Sequence, residues 1–110
     1  MPRYLVQVSY TPEAWAALIK RPHNRLEAIG DMLRSLGGRW DVAYFAFGEY
    51  DVVGIAEFPD NVSAAAQSML VSAGGSVKAV KTTPLMTIDE GIEAMRKGGA
   101  AAASYRPPTA

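Results

Sequence analysis

Hydrophobic and polar positions along the chain fall into two kinds of segment. Some segments are rich in β-branched and aromatic residues, which is typical of strands. In others, apolar residues recur every three or four positions, which is typical of amphipathic helices. This pattern predicts strands over residues 3–10, 39–47, 50–58 and 76–83. It predicts helices over residues 12–36, with a break at Pro22, over residues 60–74 and over residues 88–97. The second of these helices carries apolar residues on one side (Val62, Ala65, Met69 and Ala73), and the last is expected to face inward with Ile88, Ile92 and Met95.

Several short motifs mark where the predicted helices begin and end. Thr11 before Pro12 is a helix start, because the hydroxyl caps a free amide and proline has no amide hydrogen to satisfy. Gly37 and Gly38 end the first helical segment, since glycine adopts the left-handed cap conformation without a Cβ clash. The run from Thr87 to Glu90 matches a capping box, which predicts a further helix near the C-terminus.

The order of the predicted elements is strand, helix, strand, strand, helix, strand, with an extra C-terminal helix. This order is typical of the α+β ferredoxin-like βαββαβ fold, with an antiparallel four-stranded sheet and two main helices on one face. A length of 110 residues fits one such domain. We expect the domain to cover residues 1–97. Residues 98–110 have no apolar periodicity and are predicted to form a disordered tail.

Both faces of the predicted sheet carry apolar residues. In the third strand, Val52 and Phe58 lie on one side, and Val53 and Ile55 lie on the other. Two helices cover only one face, and an open face of this kind is larger than the apolar patches that soluble monomers tolerate. The simplest cover is a second copy of the chain, which predicts a homodimer or higher oligomer, with Phe45 as a candidate interface residue. The alternative is that the third helix or the tail folds across the open face.

Composition restricts the possible function classes. The chain has 11 basic and 11 acidic residues, a balance that argues against nucleic-acid binding. No apolar run reaches the length of a membrane span, and no secretory signal is apparent, so we expect a cytoplasmic protein without membrane contacts. The absence of cysteine excludes disulfides and thiolate metal sites. No cofactor-binding or metal-binding signature is present.

The run Phe47–Val53, which contains Gly48, Tyr50 and Asp51, resembles the defining motif of the GYD domain family. The flanking runs Leu36-Gly37-Gly38 and Glu57-Phe58-Pro59-Asp60 also resemble this family, and the similarity covers roughly residues 3–97. The resemblance implies a dimeric α/β-barrel, in which two ferredoxin-like sheets pack face to face. It brings no catalytic assignment. The stretch from Lys81 to Leu85 departs from the family pattern in containing a proline.

The densest group of polar side chains is Glu49-Tyr50-Asp51, at the start of the third strand. Asp51 in an enclosed cavity would have a raised pKa and could act as a general base, with Tyr50 and Glu49 beside it. The alternative is structural, because an aspartate beside a glycine turn accepts hydrogen bonds from backbone amides.

Four aromatic residues are candidates for a ligand pocket: Tyr44, Tyr4, Tyr10 and Phe45. The phenols of the three tyrosines could orient a polar group on an apolar or aromatic ligand. The alternative is that they supply buried area in the core and in a dimer interface.

The single histidine, His23, lies in the basic segment Lys20–Arg25 at the predicted helix break. It could move a proton, but one histidine without a second ligand at a suitable spacing indicates no metal site. The positive charges around His23 could hold a phosphate or an acidic partner. The alternative is an ordinary solvated helix end.

These observations support three function hypotheses. The first is a small-molecule-binding homodimeric α/β-barrel. The second is a cofactor-independent oxygenase or isomerase that acts on a small aromatic compound, which rests on analogy between folds. The third is a regulatory interaction module.

Overall fold

The computed structural model describes residues 1–109. The elements in chain order are β1 (Arg3–Tyr10), α1 (Pro12–Lys20), α2 (Arg25–Ser35), β2 (Arg39–Phe45), β3 (Val52–Glu57), α3 (Asn61–Ala73), β4 (Val77–Pro84) and α4 (Ile88–Ala101). A 3-10 helix, Ala102–Ser104, follows α4.

The four strands form one antiparallel sheet in the order β2-β3-β1-β4. β1 lies between β3 and β4, and β2 forms one edge. The sequence-based prediction of an α+β, ferredoxin-like fold is therefore confirmed. The pairing of β2 with β3 shifts between Trp40 and Val42, where an extra residue forms a bulge.

Local capping motifs determine where the two helices in the N-terminal half begin and end. The Thr11 side chain accepts a hydrogen bond from the Ala14 amide and caps α1. The helix breaks around Pro22 as predicted, and Asn24 caps α2 by accepting from the Glu27 amide. α2 ends at Ser35, and Gly37 just beyond it has a φ of 79°, in the left-handed region that favours glycine.

The core lies between the sheet and the helices. On the sheet side it contains six alternate residues of β1 and β3, and the helices and a loop add Leu33, Ala64 and Phe58. The six sheet residues are Tyr4, Val6, Val8, Tyr10, Val52 and Ala56. Trp40 crosses this face so closely that a Cβ on Gly54 would lie 2.7 Å from Trp40 Cζ3. Its indole donates to the Leu26 carbonyl at 3.3 Å, which joins β2 to α2.

The apolar side of α3 is not its buried side. The apolar stripe of α3 that contains Val62 and Met69 faces solvent, and the buried residues of α3 are Ala64 and Gln67. The hydroxyl of Ser68 lies 2.6 Å from that of Thr82 on β4, so polar contacts help to orient this helix. A stripe of apolar residues at helical spacing does not by itself identify the buried side.

The C-terminal helix α4 differs from the prediction. Its capping box at Thr87 and Glu90 is present as predicted. However, α4 continues through Ala101 instead of ending near residue 97, and Ile88, predicted to face inward, is 81% exposed. Ile92 and Met95 are exposed as well, and α4 contributes no residue to the core. The helix does not cover the open face of the sheet.

Removing α4 will therefore change the stability of the folded domain very little. A chain that ends at Thr87 is expected to have a free energy of unfolding within about 0.5 kcal/mol of the full chain, the range of ordinary surface changes. Urea unfolding of both chains at low protein concentration measures this difference. A loss of more than about 2 kcal/mol would show that α4 packs against the domain, or against a second copy, in solution.

Candidate functional site

The loop between β2 and β3 contains the Glu49-Tyr50-Asp51 group, and Asp51 connects it to the first part of the chain. Asp51 Oδ2 accepts one hydrogen bond from the Tyr10 amide at 2.8 Å and another from Trp15 Nε1 at 3.1 Å. We call these three residues the Asp51 brace. The Asp51 amide also donates to the Val8 carbonyl at 2.8 Å. The loop is therefore fixed to the end of β1 and to α1.

The other two members of the group have different surroundings. Glu49 is exposed, and its backbone carbonyl accepts a hydrogen bond from the Ser9 hydroxyl at 3.0 Å. Tyr50 is half-buried. Because the Asp51 carboxylate accepts from two groups of the protein itself, the geometry favours the structural interpretation of this residue over a role as general base.

The four aromatic pocket candidates do not line one common cavity. Tyr4 and Tyr10 lie at opposite ends of β1, and the Tyr4 hydroxyl donates to Asn61 Oδ1 at 2.6 Å. Phe45 pairs with the buried Val52 and lies beside Trp15 of α1, on the helix side of the sheet. Phe45, a candidate for an interface on the open face, therefore lies on the other side of the sheet. Tyr44 is 66% exposed on the opposite side of the sheet.

Tyr10 has the most unusual surroundings of the four. Its ring packs edge-on against Trp15, with centroids 5.4 Å apart, and the residue is 3% exposed. Its hydroxyl is buried without a hydrogen-bond partner among residues 1–109. Burial raises the pKa of the Tyr10 phenol, the nearby Arg25 charge opposes this rise, and Asp51 adds to it.

Two recesses meet at Tyr10. A cavity of about 200 Å³ lies between α2, the end of α3 and the sheet, and we call it the interhelical cavity. Apolar side chains of α2 and α3, such as Ile29, Met32 and Leu70, line much of it. A second recess of about 410 Å³ lies beside α1 and is lined by Arg21, His23 and Arg25, and we call it the basic recess. Both recesses also include Tyr10, Arg25 and Ser76.

Sequence reasoning identified the basic segment but not its neighbours. His23 is exposed and its ring Nδ1 lies 2.9 Å from the Arg21 carbonyl. Ser76 and Leu70 join the recesses from a part of the chain about 50 residues away, so no local spacing could have indicated them. The useful signal was the Pro22 break, because it separates two helices and leaves room between them.

The side of the sheet opposite the helices is the second candidate site. We call it the helix-free face, and it consists of Leu5, Gln7, Val42, Tyr44, Val53, Ile55, Lys81 and Thr83. Its central rows place Ile55 between Leu5 and Val42, and Val53 between Gln7 and Tyr44. These side chains are half-buried or exposed. The face is therefore mainly apolar at its centre and accessible to a partner.

An ion-pair network occupies one end of the helix-free face. Glu57 Oε2 lies 2.6 Å from Arg39 Nε, and Glu57 Oε1 lies 3.7 Å from Arg3 Nη2. Arg3 Nε in turn lies 2.6 Å from Asp41 Oδ2. Two basic and two acidic groups thus neutralise one another beside the apolar centre.

Within residues 1–109, no three histidine, aspartate or glutamate side chains come together in a group suited to a metal ion. No helix in the same part of the chain combines the length and apolar character needed to cross a membrane.

Comparison with known sequences connects this geometry to a family. The sequence model of the GYD domain matches residues 4–95, which include the Asp51 brace, both recesses and the helix-free face. The chain belongs to the GYD domain family. The resemblance noted around Gly48, Tyr50 and Asp51 is thereby confirmed.

A curated relative from Thermus thermophilus has the name glutamine synthetase and cystathionine beta-lyase binding protein. It is 27% identical to this GYD domain over 89 residues, which cover 81% of the present chain and 94% of the relative. No solved structure matches the chain. The named property of the relative is the binding of other proteins.

Proposed function

We propose that this GYD domain is a self-associating interaction module. Two copies pack through their helix-free faces, and the resulting dimer binds a metabolic enzyme. The observation that carries the proposal is the apolar centre of the helix-free face, where Leu5, Val42 and Ile55 lie side by side without a covering helix. An antiparallel sheet with one face in water normally presents polar residues there.

A second copy of the chain fits this face for two reasons. The ion pairs of Glu57 with Arg3 and Arg39 are already satisfied within one copy, so the apolar centre does not need a charged partner. In addition, a two-fold interface uses the same patch on both subunits, and an apolar patch is complementary to itself. The whole sheet is about 20 Å wide and about 23 Å long from strand geometry, so two copies would bury about 900 Å² in total, below the size of standard stable interfaces. We therefore expect a concentration-dependent dimer.

An interaction role accounts for the contacts of Asp51 as well as for the relative. The Asp51 brace uses the best-placed carboxylate of the motif to hold β1, α1 and the β2–β3 loop together. The present chain matches nearly the whole length of the Thermus thermophilus relative, and that relative is named for binding two enzymes. Both observations support a rigid binding module rather than a catalyst.

Binding to purified enzymes tests this function directly. The full chain will be immobilised and exposed to glutamine synthetase and to cystathionine beta-lyase from its own source, with an unrelated oligomeric enzyme as the control. We expect saturable binding to at least one of the two enzymes and none to the control. A dimer that binds neither enzyme would contradict the proposed partner while leaving self-association intact.

Small-molecule binding is a second candidate function, and the interhelical cavity favours it. The cavity lies on the helix side of the sheet, so its occupation does not depend on the helix-free face. Its walls are mainly apolar, and polar groups such as Arg25 and Ser76 stand at its border, as in many ligand sites.

A further inference from the structure

The interhelical cavity has room for one small apolar group. Its volume is about 200 Å³, and its lining includes Val8, Ile29, Met32, Leu70 and Val77. An engineered protein cavity of about 150 Å³ with a similar lining binds benzene. A six-membered ring or a branched aliphatic chain therefore matches this space in size and polarity.

The adjoining basic recess is suited to a negative charge. Arg21, His23 and Arg25 line it, and no acidic side chain lines either recess. Neither Arg21 nor Arg25 has an ion-pair partner among residues 1–109. Arg25 is also the first residue of α2, where the helix dipole contributes a partial positive charge.

Tyr10, whose hydroxyl is buried, lines both recesses. The hydroxyl has no hydrogen-bond partner among residues 1–109, and an unpaired buried hydroxyl is energetically costly. Arg25 lines both recesses as well and is itself exposed, so its side chain can move without disturbing the core. An anionic acceptor atom that enters when the Arg25 side chain moves would accept a hydrogen bond from the Tyr10 hydroxyl and pair with the Arg25 guanidinium.

We propose that the two recesses form one site for a small monocarboxylate with an aromatic or branched apolar body. The carboxylate pairs with Arg25 and accepts a hydrogen bond from the Tyr10 hydroxyl, and the apolar body fills the interhelical cavity. This inference rests on the second candidate function, small-molecule binding. It adds the charge and shape of the ligand and the residues that recognise it.

Isothermal titration calorimetry with three probes tests the proposal on the full chain. Phenylacetate has both the ring and the carboxylate, phenylacetamide has the same shape without charge, and inorganic phosphate has charge without a ring. We expect phenylacetate to bind at least about tenfold more tightly than either of the others, because hydrogen bonds to a charged group are the stronger ones.

Four variants locate the site. Tyr10→Phe and Arg25→Gln will each weaken phenylacetate binding about tenfold, and Ala28→Leu will fill the cavity and abolish binding without removing a polar group. Arg34→Gln, which removes one positive charge from the far end of α2, is the matched control and will bind as the original chain does. Melting curves will confirm that each variant is folded.

Each result that contradicts the proposal identifies what fails. Equal binding of phenylacetamide would overturn the carboxylate site but preserve small-molecule binding in the cavity. Equal binding of inorganic phosphate would show that the apolar cavity takes no part, and would overturn the combined site. No binding of any probe would overturn the inference and the second candidate function together. An equal loss in Arg25→Gln and Arg34→Gln would show that binding is a general charge effect and would overturn the site.

Discussion

Replacing Val53 with aspartate is expected to convert the proposed dimer into a folded monomer. Val53 lies near the centre of the helix-free face, between Gln7 and Tyr44. In the dimer each copy would bury an unpaired carboxylate against the other, which is strongly unfavourable. The dissociation constant should rise by about a hundredfold or more, equivalent to about 3 kcal/mol. Sedimentation over a range of concentrations measures it, with 11.8 kDa as the monomer mass.

The matched control is Val62→Asp, which places the same substitution on the exposed side of α3. Val62 is 79% exposed and lies on the helix side of the molecule, away from the proposed interface. This variant should sediment as the original chain does. If the original chain is a monomer at all accessible concentrations, or if both variants dissociate equally, the helix-free face is not the dimer interface.

The sheet and the helix starts were predictable because their signals are local. A hydroxyl before Pro12 and the capping box at Thr87 act within one helical turn, and the structure shows both. The side that Phe45 occupies was not predictable in this way. Faces along β2 alternate regularly except at the bulge between Trp40 and Val42, and a bulge exchanges the two faces for the residues beyond it.

The exposed apolar sides of two helices have a related explanation. The stripes on α3 and α4 contain residues such as Val62 and Ile88, which have the spacing of a buried face but are exposed. Periodicity reports that one side of a helix is apolar, but not what covers it. For α3 the covered side contains Ala64 and Gln67, whose small or polar side chains give a weak signal in the sequence.

The candidate sites depend on contacts between distant parts of the chain. Sequence reasoning selected Asp51 and Tyr10 separately, but their connection spans 41 positions and appears only when β1 lies beside β3. The interhelical cavity likewise requires α2 and the end of α3 to lie over the same strand. The family motif identified where an important aspartate is, and the fold identifies what it contacts.

Replacing Asp51 with alanine is expected to cost about 3 kcal/mol of unfolding free energy. The change leaves the Tyr10 amide and Trp15 Nε1 without their acceptor, and each unpaired buried donor costs about 1–3 kcal/mol. Asp51→Asn keeps an acceptor oxygen in the same place, so its loss should be only about 1 kcal/mol. Urea unfolding of both variants measures these differences, and no substrate is needed.

Glu49→Ala is the matched control for Asp51, because it removes a carboxylate from the same loop. The Glu49 side chain is exposed and the Ser9 hydroxyl binds only its backbone carbonyl, so the loss should stay below about 0.5 kcal/mol. If Asp51→Asn were more stable than the original chain, the carboxylate would be a costly buried charge rather than a brace. Asp51 would then again be a candidate general base, with the Trp15 indole positioning it. A structural brace requires that Asp51→Ala has a lower free energy of unfolding than Asp51→Asn, and that Glu49→Ala keeps that of the original chain.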